Sequence, residues 1–177
     1  MLSLKGDQIK LRALEPEDLE LLFNIENNRE FWEISSTVTP YSRFILKQYL
    51  ENSHRDIYEV KQLRLVICNS NDEEPLGLID LFDFEPKHKR AAIGILIENE
   101  EDRGRGYAAE ALDLLCRYCF EQLDFHQLYA NVGADNIPSQ RLFEKIGFNL
   151  AGRKKDWNLV NGKFKDELLY QLIQNVH

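Results

Sequence analysis

A mixed α/β fold on a central sheet of about seven strands is predicted by three observations. Short apolar runs, alternating or continuous and bounded by turn residues, recur along the chain. Helical spacing of apolar residues appears near the N-terminus and again, more strongly, in the middle. One strand–helix–strand unit in the centre requires a right-handed crossover between parallel strands, whereas the hairpins on either side require antiparallel ones.

Each element follows from its own residues. QIKLRAL at 8–14 alternates as a strand, with Ile9, Leu11 and Ala13 on one face. EPEDLELLFNIENN reads as a helix. Pro16 stands in its first turn, acids follow, and Leu19, Leu22, Phe23 and Ile25 form the stripe. SSTVTP at 35–40 is a loop, and YSRFILKQYLENSH is a second helix. QLRLVICNS is a strand and NSNDEEP a turn; LGLIDLFDF and AAIGILI are neighbouring strands joined by the charged loop EPKHKR. The longest helix, YAAEALDLLCRYCFEQL, places Leu112, Leu115, Cys116, Cys119 and Leu123 on one buried face. HQLYANVGA is a strand and IPSQRLFEKIG a helix stopped by Gly147. KKDWNLVNGKFKDELLYQLI is a hairpin on an Asn161-Gly162 turn, its strands alternating around Trp157, Leu159, Phe164 and Leu168.

With 177 residues, 44% hydrophobic and 29% charged, the chain reads as a single domain spanning residues 1–177. No run approaches the roughly 20 apolar residues of a membrane span, and the first residues are too charged for a signal peptide. Three cysteines, an odd number, fit a reducing cytoplasm. The net charge of −8 argues against nucleic acid as a partner and suits a cationic substrate such as an amine. Cys116-x-x-Cys119 falls on the apolar stripe of a helix with no second pair, which makes it core. His54, His88, His126 and His177 have no metal-ligand spacing, and no Gly-x-Ser-x-Gly nucleophile signature occurs.

The chemistry concentrates at RGRGYA, residues 103–108. A strand running into a glycine turn and then a helix leaves backbone N–H groups converging at the helix N-terminus, where the dipole favours an anion. Gly104 and Gly106 let the backbone approach a phosphate, and Arg103 and Arg105 offer charge-assisted contacts. No Gly-Lys-Ser/Thr follows, so this is no P-loop, and the dinucleotide pattern lacks its context. Read alone, the stretch fits both a phosphate cradle and a mobile surface loop.

Arg103-x-x-Gly106-x-Ala108 resembles the pyrophosphate-binding loop of the GNAT superfamily of acetyl-CoA-dependent N-acetyltransferases. DNIPSQRLFEKIGF at 135–148 is similar to the second central motif of that family. KLRALEPEDLELLF and VNGKFKDELLYQL look like its terminal pieces in the right order, closest to the spermidine and ribosomal-protein N-terminal acetyltransferase branch. The resemblance implies the GNAT acyl-CoA N-acyltransferase fold, with splayed parallel middle strands and helices on both sheet faces.

It further implies acetyl-CoA as co-substrate and direct acetyl transfer to a primary amine. A small cationic, polyamine-like acceptor leads; a protein N-terminus and a non-catalytic acyl-CoA sensor are the alternatives. In this family the pantetheine arm lies in the splay, which points to the backbones of Leu96 and Ile97. The pyrophosphate would sit on the N–H groups of Arg103, Gly104, Arg105, Gly106, Tyr107 and Ala108, with Asn136 and Ser139 beside the cofactor. Asn136 also reads, on local grounds, as a helix N-cap.

The chain departs from the spermidine enzymes at Phe143, which stands where they carry a tyrosine acid, and phenylalanine donates no proton. Ala92 replaces a glutamate common on the fourth strand, and SSTVT replaces acids that help bind polyamine. The remaining catalytic candidates are Glu33, Tyr41 and Asp80. Asp80 and Asp83 are expected on opposite strand faces, and Tyr129 as a core aromatic. A homo-oligomer, a dimer first, is expected; no membrane partner is.

Overall fold

The computed structural model of the chain describes residues 3–175. Seven strands form one sheet in the order β1-β2-β3-β4-β5-β7-β6. They are β1 (Ile9–Ala13), β2 (Leu63–Asn69), β3 (Pro75–Glu85), β4 (Arg90–Ile97), β5 (Gln127–Gly133), β6 (Asn149–Val160) and β7 (Lys163–Ile173). Only β4 and β5 are parallel; their crossover is α5 (Tyr107–Glu121). The mixed α/β class read from the sequence is the observed one.

Strand alternation sends successive side chains to opposite faces and so builds two cores. Ile79, Leu81 and Leu128 meet α5 and α6 (Ile137–Ile146) through Leu112, Leu115 and Phe143. On the other face, Val66 and Leu78 meet α1 (Leu19–Asn27), α2 (Arg29–Ser35) and α3 (Arg43–Glu51) through Leu22, Phe31 and Leu46. A one-turn helix, α4 (Ile57–Val60), leads into β2.

Neither α2 nor α4 is expected from periodicity, because each is too short to show a stripe. They form through caps. The Asn28 side chain accepts from the Glu30 N–H at 3.0 Å, and Asp56 accepts from the N–H groups of Tyr58 and Glu59. Trp32 then donates Nε1–H to the Glu26 carbonyl at 2.9 Å, folding α2 back on α1.

The position of the site follows from how far β4 and β5 stay together. They share three rungs, Arg90–Gln127, Ala91–Leu128 and Ala92–Tyr129. Beyond Ala92, β4 remains on β3 as far as Ile97, while β5 follows β7 as far as Gly133. The two parallel strands therefore part. Gly77 lets β3 approach β4 beside this opening, since a Cβ there would collide with the Leu96 carbonyl oxygen.

The last hairpin turns at Asn161-Gly162, both at positive φ, with Val160 opposite Lys163. The alternation expected around Trp157, Leu159 and Phe164 does not bury them. β5 accompanies β7 only from Glu167 onward, so the outer half of the hairpin extends past the sheet and these residues are 57–63% exposed. Leu168, beside β5, is buried.

Among the described residues no helix is long and apolar enough to cross a membrane. Cys68, Cys116 and Cys119 are free and buried. No group of three or more potential metal ligands occurs among the described residues, and His177 lies outside them.

Candidate active site

Gly104 and Gly106 adopt φ values of 73° and 90°, and Gly106 caps α5. The first-turn N–H groups of a helix have no intrahelical acceptors, and here they face open space. A Cβ on Gly104 would meet nothing within 4 Å, and one on Gly106 only the Gln8 amide nitrogen at 3.6 Å. The loop thus has both the donors and the room for a phosphate. Glu110, an acid in that first turn, is drawn aside: its carboxylate accepts from the backbone N–H groups of Asp7 and Gln8.

The two arginines behave differently. Arg103 turns its guanidinium away from the loop, 2.7 Å from Glu30 of α2 and 5.4 Å above the Phe31 ring, and also donates to the carbonyls of Ile97 and Glu98. It braces α2, and its backbone N–H donates to the Glu100 carbonyl at 3.1 Å, so of the expected phosphate donors it supplies none in this arrangement. Arg105 is exposed, with Asp102 3.8 Å away.

Hydrogen-bond alternation decides which backbone groups face the splay. Glu98 donates to the Leu76 carbonyl, so the rungs Leu96–Leu78 and Gly94–Asp80 bond toward β3. Ile95 and Ile97 therefore turn their N–H and C=O groups toward the opening. Of the two residues expected at the pantetheine arm, Ile97 presents its backbone there; Leu96 bonds β3 and offers its side chain to the neighbouring cleft. Asn136 caps α6, its side chain accepting from the Ser139 N–H at 3.3 Å. Tyr107 opens α5 and packs on the core, with Ala108 next to it. Phe143 is buried edge-on against Phe148, ring centres 5.1 Å apart, and supplies no proton.

A cleft of about 490 Å³ opens on the α1–α3 face, floored by Ile93 to Leu96 and reaching Asn131 of β5 across the splay. Its charged lining is one triad. Arg64 and Asp80 oppose each other on a β2–β3 rung and share hydrogen bonds of 2.7 and 3.0 Å; Glu26 of α1 takes the third guanidinium arm at 2.7 Å. Burial works against the charge of Arg64, but Asp80 outweighs it and holds its pKa above the ordinary arginine value. Two carboxylates against one guanidinium leave the lining with one net negative charge. Burial also raises the pKa of Tyr49 beside the triad, with Arg64 opposing.

Tyr41 and Asp80 both line this cleft. Tyr41 is held by a two-point clamp: its N–H donates to the Asn27 side chain at 2.8 Å, and that amide donates back to its carbonyl at 3.0 Å. Glu33 is not part of the lining; it is exposed and 3.1 Å from Lys165, which also holds Asp135 at 2.7 Å. A bulge interrupts the alternation between Phe82 and Glu85, with Asp83 at φ 49°, so the simple alternation that set Asp83 on the face opposite Asp80 does not run through that position. Tyr129 is half-buried at the last shared rung of β4 and β5, outside the packed core; burial, and next the charge of Asp83, raise its pKa.

Glu26, Arg64 and Tyr49 escape the sequence reading. A signal for one pair exists: folding QLRLVICNS back on LGLIDLFDF across the NSNDEEP turn sets Arg64, the lone charge of the first run, on the rung of Asp80, the first of two acids in the second. Nothing comparable points to Glu26, 38 residues upstream of Arg64.

A family model for the acetyltransferase (GNAT) domain matches residues 8–149. The spermidine N(1)-acetyltransferase of Vibrio cholerae serotype O1 is 29% identical to the chain over 173 residues, covering 96% of this chain and 95% of that one. Its solved structure in complex with CoA and spermine is similar at a TM-score of 0.83, with 28% identity and coverage of 96% and 97%. A dodecameric structure of the Vibrio enzyme is similar at 0.79, with 29% identity and coverage of 96% and 95%.

Proposed function

The chain belongs to the GNAT family of acetyl-CoA-dependent N-acetyltransferases, and from that premise we propose that its acceptor is a small cationic, polyamine-like primary amine. The observation that carries this reading is the surplus carboxylate of the Glu26–Arg64–Asp80 triad in a cleft that opens onto the splay. The named acceptor of the Vibrio relative agrees with it.

The residues take the following parts. The N–H groups from Gly104 to Ala108 hold the pyrophosphate, while Ile97, Asn136 and Ser139 align the pantetheine arm. Asp80 and Glu26 attract the ammonium and receive its proton through water, because an alkyl ammonium must be deprotonated before it attacks a thioester. The Ile95 N–H, aimed into the opening, stabilises the tetrahedral oxyanion. The thiol of CoA is a stronger acid than an alkyl ammonium, so the sulfur leaves as thiolate with Phe143 in place of a donor.

The whole chain acts as one domain in this reading. The free cysteines support the cytoplasm as its compartment. It self-associates, at least to a dimer, as the dodecameric Vibrio relative suggests for the lineage.

Release of CoA thiol, followed with acetyl-CoA and a panel of spermidine, simple alkylamines and a short peptide, tests the acceptor. Turnover of the small amines is expected. Turnover confined to the peptide N-terminus, or CoA binding with no turnover on any amine, would overturn the assignment.

A further inference from the structure

One row of residues crosses four strands on the cleft side of the sheet. Arg64 of β2 opposes Asp80 of β3, and Asp80 opposes Gly94 of β4. The last rung shared by the parallel pair is Ala92–Tyr129. Two residues further along each strand stand Gly94 and Asn131, on the face of that rung and with the opening between them. All four residues of the row line the cleft. Gly94 puts no side chain between Asp80 and Asn131, so the row is notched where the splay begins. The Ile95 N–H, next along β4, is aimed into the same opening.

Asn131 offers this notch a donor. Its Oδ1 accepts from Lys154 Nζ at 3.0 Å, and an ammonium can only donate, which fixes the orientation of the amide. Lys154 is itself held by Glu167 at 2.6 Å and lies 4.7 Å from the centre of the Trp157 ring; Glu167 also accepts from Asn158 Nδ2 at 2.9 Å. The Nδ2 hydrogens of Asn131 have no acceptor among the described residues. A donor pinned from behind and left open in front suits an oxygen that gains negative charge, and not an ammonium.

We propose that Asn131 is a catalytic residue whose Nδ2–H donates to the acetyl carbonyl oxygen together with the Ile95 N–H, and that Lys154 is the positioning residue that orients it. As the amine lone pair forms the C–N bond, the carbonyl π pair moves onto that oxygen, where the two N–H groups stabilise it. The pair returns as the C–S bond breaks, its electrons leave with sulfur, and the nitrogen sheds its surplus proton to water. Asn131 gives up no proton. The inference rests on the acetyl-transfer reading above, with the thioester in the splay, and holds whichever amine accepts.

Asn131 is exposed, so Asn131→Ala is expected to keep the fold. Asn131→Asp keeps the shape and the contact with Lys154 but puts an acceptor where the donor stood. Both are assayed with the amine of the panel above that turns over fastest. In Asn131→Ala, kcat and kcat/KM for acetyl-CoA should fall together by about 10²-fold, the low end for one oxyanion donor because water reaches an exposed site. Asn131→Asp should fall at least as far. Lys154→Met should cost about fivefold with Asn131 in place and nothing in the Asn131→Ala background, since residues in contact couple. A second readout needs no acceptor: with bound acetyl-CoA isotope-labelled at the thioester carbonyl, the infrared C=O band should move to higher frequency in Asn131→Ala.

Native kcat in either Asn131 variant, or a band that stays in place, overturns the inference. A raised KM for the amine alone makes Asn131 an acceptor contact and overturns it too. Equal costs of Lys154→Met in both backgrounds overturn the part given to Lys154. If only the peptide N-terminus turns over and kcat falls as expected, the small-amine reading fails and the assignment of Asn131 stands. With no turnover on any amine, both fall.

Discussion

Arg64 and Asp80 stand opposite each other on one rung of the β2–β3 ladder and meet through two parallel hydrogen bonds, 2.7 and 3.0 Å long. Fork-to-fork pairing fixes both side chains at the inner end of the cleft. Asp80→Asn keeps the shape and removes the charge that attracts and deprotonates the amine. Steady-state kinetics should show kcat/KM for the amine falling by about 10²-fold, with the KM for acetyl-CoA unchanged. An undiminished kcat/KM would reduce the pair to a strut.

Gly106→Glu places a carboxylate and a Cβ at φ 90° where the pyrophosphate is assigned. Calorimetry should detect no acetyl-CoA binding, while circular dichroism remains that of the folded protein. Native affinity in a folded variant removes the loop from the cofactor site.

Asn136 combines a cap with its assigned place beside the cofactor, and two substitutions separate the roles. Asn136→Ala should lower stability by about 1 kcal/mol and raise the KM for acetyl-CoA. Asn136→Ser restores the cap, so its Tm should recover while its KM stays high. If the KM recovers with the Tm, Asn136 acts only as a cap.

Gly77→Ala pushes a methyl group at the Leu96 carbonyl and hence at the strand that floors both sites. Overpacking of this kind costs about 1–3 kcal/mol. Thermal unfolding should register the loss, and the KM values for both substrates should rise together. A rise in one alone would mean that β4 does not move as a unit.

Asp18 is buried against Arg12, with guanidinium–carboxylate distances of 2.8 Å. Burial pushes its carboxyl up, but Arg12 and the Glu15 N–H together outweigh that and leave the pKa below the ordinary aspartate value. A folded-state pKa under the unfolded one contributes stability at neutral pH that disappears as pH falls through the folded value. Tm should therefore be flat from pH 7 to about 5 and drop below about 4. Asp18→Asn should lower Tm at pH 7 and flatten part of that acid limb. A variant limb as steep as the native one would place the titration elsewhere.

What the sequence revealed depended on how local each signal is. The seven strands and the α5 stripe were legible because hydrophobic period is written in adjacent residues. The extent of burial was less so: Trp157, Leu159 and Phe164 alternate like core residues, yet no third strand reaches them. Asp83 escaped because a single bulge undoes alternation. The phosphate loop was readable as a motif, although the outward turn of Arg103 depends on Glu30, 73 positions away. The splay and the Glu26–Arg64–Asp80 triad are products of tertiary pairing, and only the Arg64–Asp80 rung left a trace in the two strands that form it.

The sulfur chemistry of the protein is silent. Cys68, Cys116 and Cys119 are at most 4% exposed, and burial raises the pKa of each thiol, so none offers the thiolate that disulfide and maleimide reagents attack. Turnover can therefore be followed continuously on native, unmodified protein at mildly alkaline pH, where more of the amine is unprotonated than at neutrality. The chromophore released then counts CoA alone, with no protein background to subtract.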